Sequence, residues 1–210
     1  SGTEAKAKDY FAERTSKANF TYVNSKIPFT YDFAGNDNDV DPKSDSQNHG
    51  THVASLAAAN GEDFQGIAPN AQLAILKVFG DSSGGANDNA IIAAINEAAK
   101  LGLDEINMSL GSDLVDTSDS ISNTAYQALK GAADLGVIAN ISAGNSGKSS
   151  FSSGNYANYS TDIVEGGILG SYANYDETAN IVASSNPDKA FYSSIMQVTK
   201  DGSEVANAVS

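Results

Sequence analysis

Short apolar runs alternate with segments of helical spacing between residues 73 and 143. Leu73–Phe79, Leu103–Met108 and Val137–Ala143 are almost continuously apolar, which predicts strands buried on both faces, as in a parallel sheet. Asn89–Leu101 and Ile121–Leu135 carry apolar residues at helical spacing, which predicts two amphipathic helices between the strands. This alternation predicts right-handed crossovers and an α/β fold with a mainly parallel sheet.

The flanking segments are less regular. We predict an N-terminal helix over Ala5–Ala18, an edge or irregular strand over Lys26–Phe33 and a small-residue helix that begins near His49. Short strands are predicted at Ile181–Ala183 and Ile195–Val198. Polar loops rich in glycine, serine, asparagine or aspartate are predicted over residues 35–45, 80–88, 112–119 and 146–161.

Composition and charge exclude several classes of protein. The chain has 210 residues, of which 40% are hydrophobic and 18% are charged, as in one ordinary globular domain. Its 26 acidic and 12 basic residues give a net charge of −14, which disfavours binding to nucleic acid or anionic lipid. Cysteine is absent, which excludes disulfides and thiolate chemistry. No apolar run approaches the roughly 20 residues of a membrane span.

Because Ser1-Gly2 stands where an initiator methionine would, we expect a piece cut from a longer chain.

The two histidines of the chain, His49 and His52, lie in N-H-G-T-H-V-A at a predicted helix start. Three interpretations stay open from these residues alone. They are polar residues of the first helical turn, two ligands of a metal site that needs a distant carboxylate as a third, or acid–base groups. The acid–base interpretation is attractive because neutral imidazole transfers protons near pH 7 and active sites lie at the carboxyl edge of α/β sheets.

Three further segments place polar groups or bare backbone at the predicted sheet edge. Asn145, in S-A-G-N-S-G, follows a strand and either closes a turn or donates to a developing oxyanion. Ser109, Leu110 and Gly111 follow another strand, where an extended peptide can pair with their backbone, or they form a plain exit to a loop. The Gly84-Gly85 loop permits close approach of a peptide chain, or is only a flexible turn.

Taken together and in order, these motifs resemble the subtilisin-like serine proteases, the subtilases. The resemblance covers roughly residues 27 to 200, and it is most like the branch of large cell-envelope proteinases and C5a peptidases. It is carried by K-I-P-F-T-Y-D-F at 26–33, N-H-G-T-H-V-A at 48–54, G-I-A-P-N-A at 66–71, L-K-V at 76–78, I-N-M-S-L-G at 106–111 and S-A-G-N at 142–145.

The resemblance implies a role for each matching residue. His49 would be the general base of a Ser-His-Asp triad, Asn145 the oxyanion donor, and His52 structural. The walls of the substrate cleft would be formed by Ser109, Leu110, Gly111, Ser142, Ala143, Gly144 and the loop with Gly84 and Gly85. The implied fold is a three-layer α/β/α sandwich with a mainly parallel central sheet.

Two members of the triad have no counterpart in this sequence. No V-I-D-[ST]-G-like string precedes His49, and no G-T-S-M-A-like string follows Asn145. Asp32 lies in the segment that falls between the aspartate and the histidine in the cell-envelope branch, so we interpret it as non-catalytic. The resemblance thus implies a single partial catalytic domain over 1–210, with residues 1–26 peripheral. The parent would be a secreted or cell-envelope bacterial serine endopeptidase, and the fragment itself inactive.

Other hypotheses follow from the same residues. A degenerate subtilase-like module used for binding or adhesion is the alternative function. No cofactor is expected, although alternating Asp37, Asp39 and Asp41 make calcium a minor alternative to a solvated acidic loop. No dinucleotide site is expected, because the Gly166–Gly170 run has the wrong spacing.

The expected partner is a protein or peptide substrate. Loss of the aspartate-bearing strand would expose sheet edges and favour dimerisation of the fragment.

Overall fold

The computed structural model describes residues 2–82, 85–111, 120–142, 179–182, 195–200 and 203–209. The chain divides into two compact units, residues 1–104 and 105–210, which we describe separately. In the described part of the chain, no helix is both long and apolar enough to cross a membrane.

Helices and parallel strands alternate in the order that the sequence predicts. A short 3-10 turn, Asp45–Gln47, precedes the second helix. The elements are α1 Gly2–Ala12, β1 Phe29–Asp32, α2 His49–Ala58, β2 Ala74–Lys77, α3 Asp88–Leu101, β3 Glu105–Met108, α4 Ser120–Asp134, β4 Ile138–Ser142, β5 Ala179–Val182, β6 Ile195–Lys200 and β7 Ser203–Val209.

The first unit is built on the parallel pair β1–β2, in which Phe29 is aligned with Ala74 and Asp32 with Lys77. All four residues of β1 are buried. Phe29 packs against Phe11 of α1, and its ring stacks on Phe20 with centroids 5.0 Å apart. This aromatic core anchors the N-terminal segment, because burying such rings removes large apolar areas from water.

A buried carboxylate fixes the chain that follows α1. Glu97 of α3 is only 2% exposed. It accepts hydrogen bonds from the Thr15 hydroxyl and from the Ser16 backbone N–H and hydroxyl. Tyr10 adds a hydrogen bond from its hydroxyl to the Leu101 carbonyl, 3.2 Å away. These contacts join residues more than 80 positions apart, so residues 10–16, within the segment predicted to be peripheral, are bonded to α3.

Helix α3 has a capping residue at each end. The Asn87 side chain caps the N-terminus by accepting from the Asn89 backbone N–H at 2.9 Å. Gly102 ends the helix with φ of 68°, a left-handed conformation that glycine adopts without strain. Ile91 and Ile95 are buried, as their spacing predicts.

The second unit contains the parallel sheet β3–β4–β5, in which Met108 is aligned with Ile141 and Ser142 with Val182. Helix α4 contacts β4, and the predicted apolar positions Ala125, Leu129 and Ala132 are buried. Strands β6 and β7 form an antiparallel hairpin, of which only β6 was expected from the sequence.

The predicted strand at Leu73–Phe79 is shorter than its apolar run. Val78 and Phe79 leave the ladder, because the Val78 carbonyl accepts from Asn87 N–H and Phe79 bridges Ala86. Within the first unit β2 is paired with β1, and within the second unit β3, β4 and β5 form a parallel sheet. Successive residues of β2 direct their backbone N–H and C=O groups to opposite sides of the strand, so those of Ala74 and Leu76 point away from β1. These groups have no backbone partner among the described residues.

Candidate active site

His49 is the first residue of α2, and its side chain is exposed to solvent. Asn48 precedes it at the cap position without a side-chain cap hydrogen bond, although its carbonyl accepts from the His52 backbone N–H at 3.0 Å. Neither histidine forms an ion pair with a carboxylate among the described residues. The imidazole of His49 is therefore accessible, and no described carboxylate orients it.

The other end of α2 is held by the G-I-A-P segment. Backbone N–H groups of Gly66, Ile67 and Ala68 donate to carbonyls in the last turn of the helix at 2.8–3.0 Å. A Cβ added to Gly66 would lie 2.5 Å from the Ala58 nitrogen, so only glycine fits against the helix end. This close packing gives a physical reason for glycine at that position of the motif.

Asp32, at the end of β1, forms a buried ion pair with Lys77 at the end of β2. Lys77 Nζ lies 2.5 Å from Asp32 Oδ2, and the two side chains are 14% and 3% exposed. Asp32 Oδ1 also accepts the backbone N–H groups of Ala34 at 2.8 Å and Gly35 at 2.9 Å. These bonds occupy the carboxylate, which supports the interpretation of Asp32 as structural.

The pKa of Lys77 is raised above its ordinary value. Burial alone lowers this pKa, but the hydrogen bonds to Asp32 and Asp81 outweigh that effect and favour the ammonium form. Lys77 is therefore charged at neutral pH and forms ion pairs with both Asp32 and Asp81.

Lys77, Asp81 and Gln47 are functional candidates that the sequence analysis did not assign. Lys77 Nζ lies 2.5 Å from Asp81 Oδ1, and Gln47 Nε2 donates to the Asp81 carbonyl at 2.6 Å. One signal was present in the sequence: Lys77 is the single charge in an apolar run, and such a charge requires a paired partner when it is buried. Nothing local points to Gln47.

The carboxylates of the acidic loop hydrogen-bond to nearby backbone and to Lys43. Asp37 Oδ1 accepts from Asp39 N–H at 2.8 Å, Asp39 Oδ1 accepts from Asp41 N–H at 3.2 Å, and Asp39 Oδ2 pairs with Lys43. The carboxylates thus form turns along their own backbone rather than converging. Within the described ranges there is no group of three or more metal-ligating side chains that could hold an ion.

The second unit brings two predicted cleft segments together. Because Met108 is aligned with Ile141, Ser109 and Ser142 lie side by side at the carboxyl ends of β3 and β4. Both are half-buried, and Asn107 Nδ2 donates to Ser109 Oγ at 3.0 Å. Leu110 is half-buried and Gly111 is exposed. The structure therefore places these two segments together at one edge of the sheet, and their role as a substrate wall stays a prediction.

The remaining predicted site residues lie either in the first unit or outside the described residues. Gly85 lies in the first unit, is exposed, and follows β2. Gly84, Ala143, Gly144 and Asn145 lie outside the described residues. The expected convergence of the His49 imidazole and the Asn145 carboxamide therefore stays a prediction.

Comparison with a protein-family model gives a match over nearly the whole chain. The model is described as Peptidase_S8, Subtilase family, and it matches residues 15–206. The match includes α2 with His49 and the segments that follow β3 and β4.

Individual relatives are similar over part of their length. A PI-type proteinase of Lactococcus lactis subsp. cremoris is 38% identical over 136 residues, which is 61% of this chain and 7% of the relative. The minor extracellular protease Vpr of Bacillus subtilis is 39% identical over 130 residues, 59% of this chain and 15% of the relative. The structure of sphericase has a TM-score of 0.53 and 28% identity, covering 83% of this chain and 50% of that one. The chain therefore spans a small part of the curated relatives and half of that solved structure.

Proposed function

Because the chain belongs to the subtilase family, we propose that it is part of the catalytic domain of a serine endopeptidase. The observation that carries this proposal is the family match over residues 15–206, with the H-G-T-H motif at the exposed start of α2. A histidine at a solvent-accessible helix start can reach a bound substrate, which a buried structural histidine cannot.

Each matching residue then has a role in peptide-bond hydrolysis. The His49 imidazole takes the proton of the attacking serine hydroxyl and returns it to the leaving amine. The Asn145 carboxamide donates a hydrogen bond to the oxyanion of the tetrahedral intermediate. Ser109, Leu110 and Gly111 pair with the extended substrate backbone, and Ser142 borders the pocket for its side chain.

The serine and the aspartate of the triad come from sequence outside this chain. No segment of the 210 residues matches the family strings for either residue. The described carboxylate of Asp32 is already paired with Lys77. His49 without a nucleophile and an orienting carboxylate gives little more than solution catalysis.

Secretion by a bacterium is part of the proposal, including attachment to the cell envelope. It is supported by the relatives, one of which is named an extracellular protease of Bacillus subtilis. The absence of cysteine in the sequence agrees with this location but does not require it.

The purified 210-residue chain is expected to hydrolyse neither casein nor chromogenic peptides above the buffer rate. A longer protein that contains this chain and supplies both missing triad members is expected to hydrolyse them and to be blocked by a serine-directed inhibitor. Inhibitor-sensitive turnover by the chain alone would contradict the partial-site proposal. Lack of turnover by the longer, folded protein would instead favour the binding-module alternative.

We also propose that the isolated chain self-associates through the open edge of β2. The backbone groups of Ala74 and Leu76 on this edge have no backbone partner in the described part of the chain, and unpaired strand edges recruit other strands. The net charge of −14 opposes association, so salt should strengthen it by screening. Light scattering is expected to give a dimer mass at moderate salt. A monomer mass at all salt concentrations would contradict this.

A further inference from the structure

A closed series of polar contacts, which we call the ring, includes the segment that leads into α2. It consists of Asp39, Lys43, Gln47, Asp81 and Lys77. Lys43 Nζ lies 2.5 Å from Asp39 Oδ2, and its backbone N–H donates to Gln47 Oε1 at 2.7 Å. Gln47 Nε2 reaches the Asp81 carbonyl at 2.6 Å, and Lys77 pairs with Asp81 and contacts the Asp39 carbonyl at 3.4 Å.

This ring joins two segments that are distant in the chain. Gln47 ends the 3-10 turn and stands two residues before His49. Asp81 belongs to the loop that follows β2, and it lies 34 residues after Gln47. Gln47 bridges these segments directly, since its Oε1 accepts from the Lys43 backbone N–H of the acidic loop and its Nε2 donates to the Asp81 carbonyl of the loop after β2.

The two ends of α2 are held differently. The N-cap residue Asn48 makes no side-chain cap hydrogen bond, and His49 and Gly50 are exposed. The carboxyl end of the helix, by contrast, receives three backbone hydrogen bonds from the G-I-A-P segment. At the other end, the side-chain bond from Gln47 ties the backbone just before His49 to the loop after β2.

We propose that Gln47 is a positioning residue, which holds the backbone of His49 in a fixed relation to the loop after β2. Its carboxamide acts as a two-way clamp, because the oxygen accepts from Lys43 and the nitrogen donates to Asp81. Lys77 supports the clamp by anchoring the Asp81 side chain to the buried Asp32. The catalytic part of this inference rests on the proposed function, since it requires His49 to be the base.

Gln47→Leu in the isotope-labelled 210-residue chain tests the clamp without any activity measurement. The ring signals of the two histidines and the backbone amide signals of Asp81 and Ser82 are followed by NMR. We expect the His49 ring and Asp81 amide signals to move and the Asp81 amide to exchange faster. Gln47→Glu keeps the acceptor for Lys43 but loses the donor to Asp81, so it should move the same signals if that bond carries the coupling.

Gln72→Leu is the matched control. Gln72 Nε2 donates to the Ser25 carbonyl at 2.7 Å, a hydrogen bond of the same kind across 47 residues, but away from the ring. It should leave the His49 and Asp81 signals in place. Unchanged His49 and Asp81 signals in a folded Gln47→Leu chain, or equal changes in both Gln→Leu variants, would overturn the proposal.

The longer protein tests the catalytic consequence. Misplacing a base costs turnover more than substrate binding, so Gln47→Leu should lower kcat by about tenfold with less than a twofold change in KM. A rise in KM alone would overturn the positioning role. If His49→Ala retains activity, the proposed function fails, while the NMR result still decides whether Gln47 couples the two segments.

Discussion

Replacing Lys77 with Met is expected to lower the free energy of unfolding by about 3 kcal/mol, because it leaves a buried carboxylate without its cation. Lys77 Nζ and Asp32 Oδ2 are 2.5 Å apart and shielded from water. The backbone N–H groups of Ala34 and Gly35 still donate to Asp32, which keeps the loss at the lower end for a broken buried pair. Urea unfolding followed by far-ultraviolet circular dichroism measures the change, since the chain has no tryptophan.

Two further variants separate the buried pair from charge in general. Lys43→Met removes an ion pair whose partners are 40% and 48% exposed, and it should leave the urea midpoint almost unchanged. Adding Asp32→Asn to Lys77→Met removes the unpaired charge but keeps an oxygen for the two N–H groups, so part of the lost stability should return. A Lys77→Met midpoint equal to that of Lys43→Met would contradict the role of the pair.

Alkaline pH probes the same ion pair. Because the pKa of Lys77 is raised in the folded chain, its stabilisation is complete below 10.5 and is lost as the pH rises through the raised value. Burial also raises the pKa of Tyr31 above 10.0, and this acts in the same direction. Lys77→Met removes only the lysine contribution, so its stability should fall less steeply above pH 10.5 than that of the original chain. An equal fall in unfolding free energy with pH in the two chains would contradict this.

His49→Ala in the longer protein is expected to abolish proteolysis. Subtilisin, a member of the same family, loses about 10⁶-fold in kcat when its triad histidine is removed, and we adopt that measured loss as the expectation here. Without the base, the serine hydroxyl keeps its proton and is a poor nucleophile. Single-turnover assays with an activated ester should show loss of acylation while the protein stays folded.

His52→Ala is the matched control for that substitution. His52 lies on the same helix, is also exposed, and has the structural role that the family resemblance implies. Its replacement should leave kcat within a few-fold of the original value. Equal losses in the two variants would point to a general effect on α2, and high activity after His49→Ala would exclude His49 as the base.

The local pattern of the sequence predicted most elements and several of the site segments. Apolar runs located the parallel strands, and apolar residues at helical spacing located α3 and α4. The H-G-T-H motif placed His49 at a helix start, as observed. The apolar runs also placed Ser109 and Ser142 at the carboxyl ends of strands, as observed. These features depend on neighbours within a few positions, which a linear pattern records directly.

Tertiary structure alone decided which distant polar groups meet. Lys77 is 45 residues from Asp32, Gln47 is 34 from Asp81, and Glu97 is 82 from Thr15. A buried or bridging polar side chain needs a partner, but periodicity cannot name one that lies on another element. The early end of β2 likewise depends on what packs beside it. The sequence by itself therefore determined the order and type of the elements and the residues at their ends, while packing determined the ion pair and the clamp that hold them.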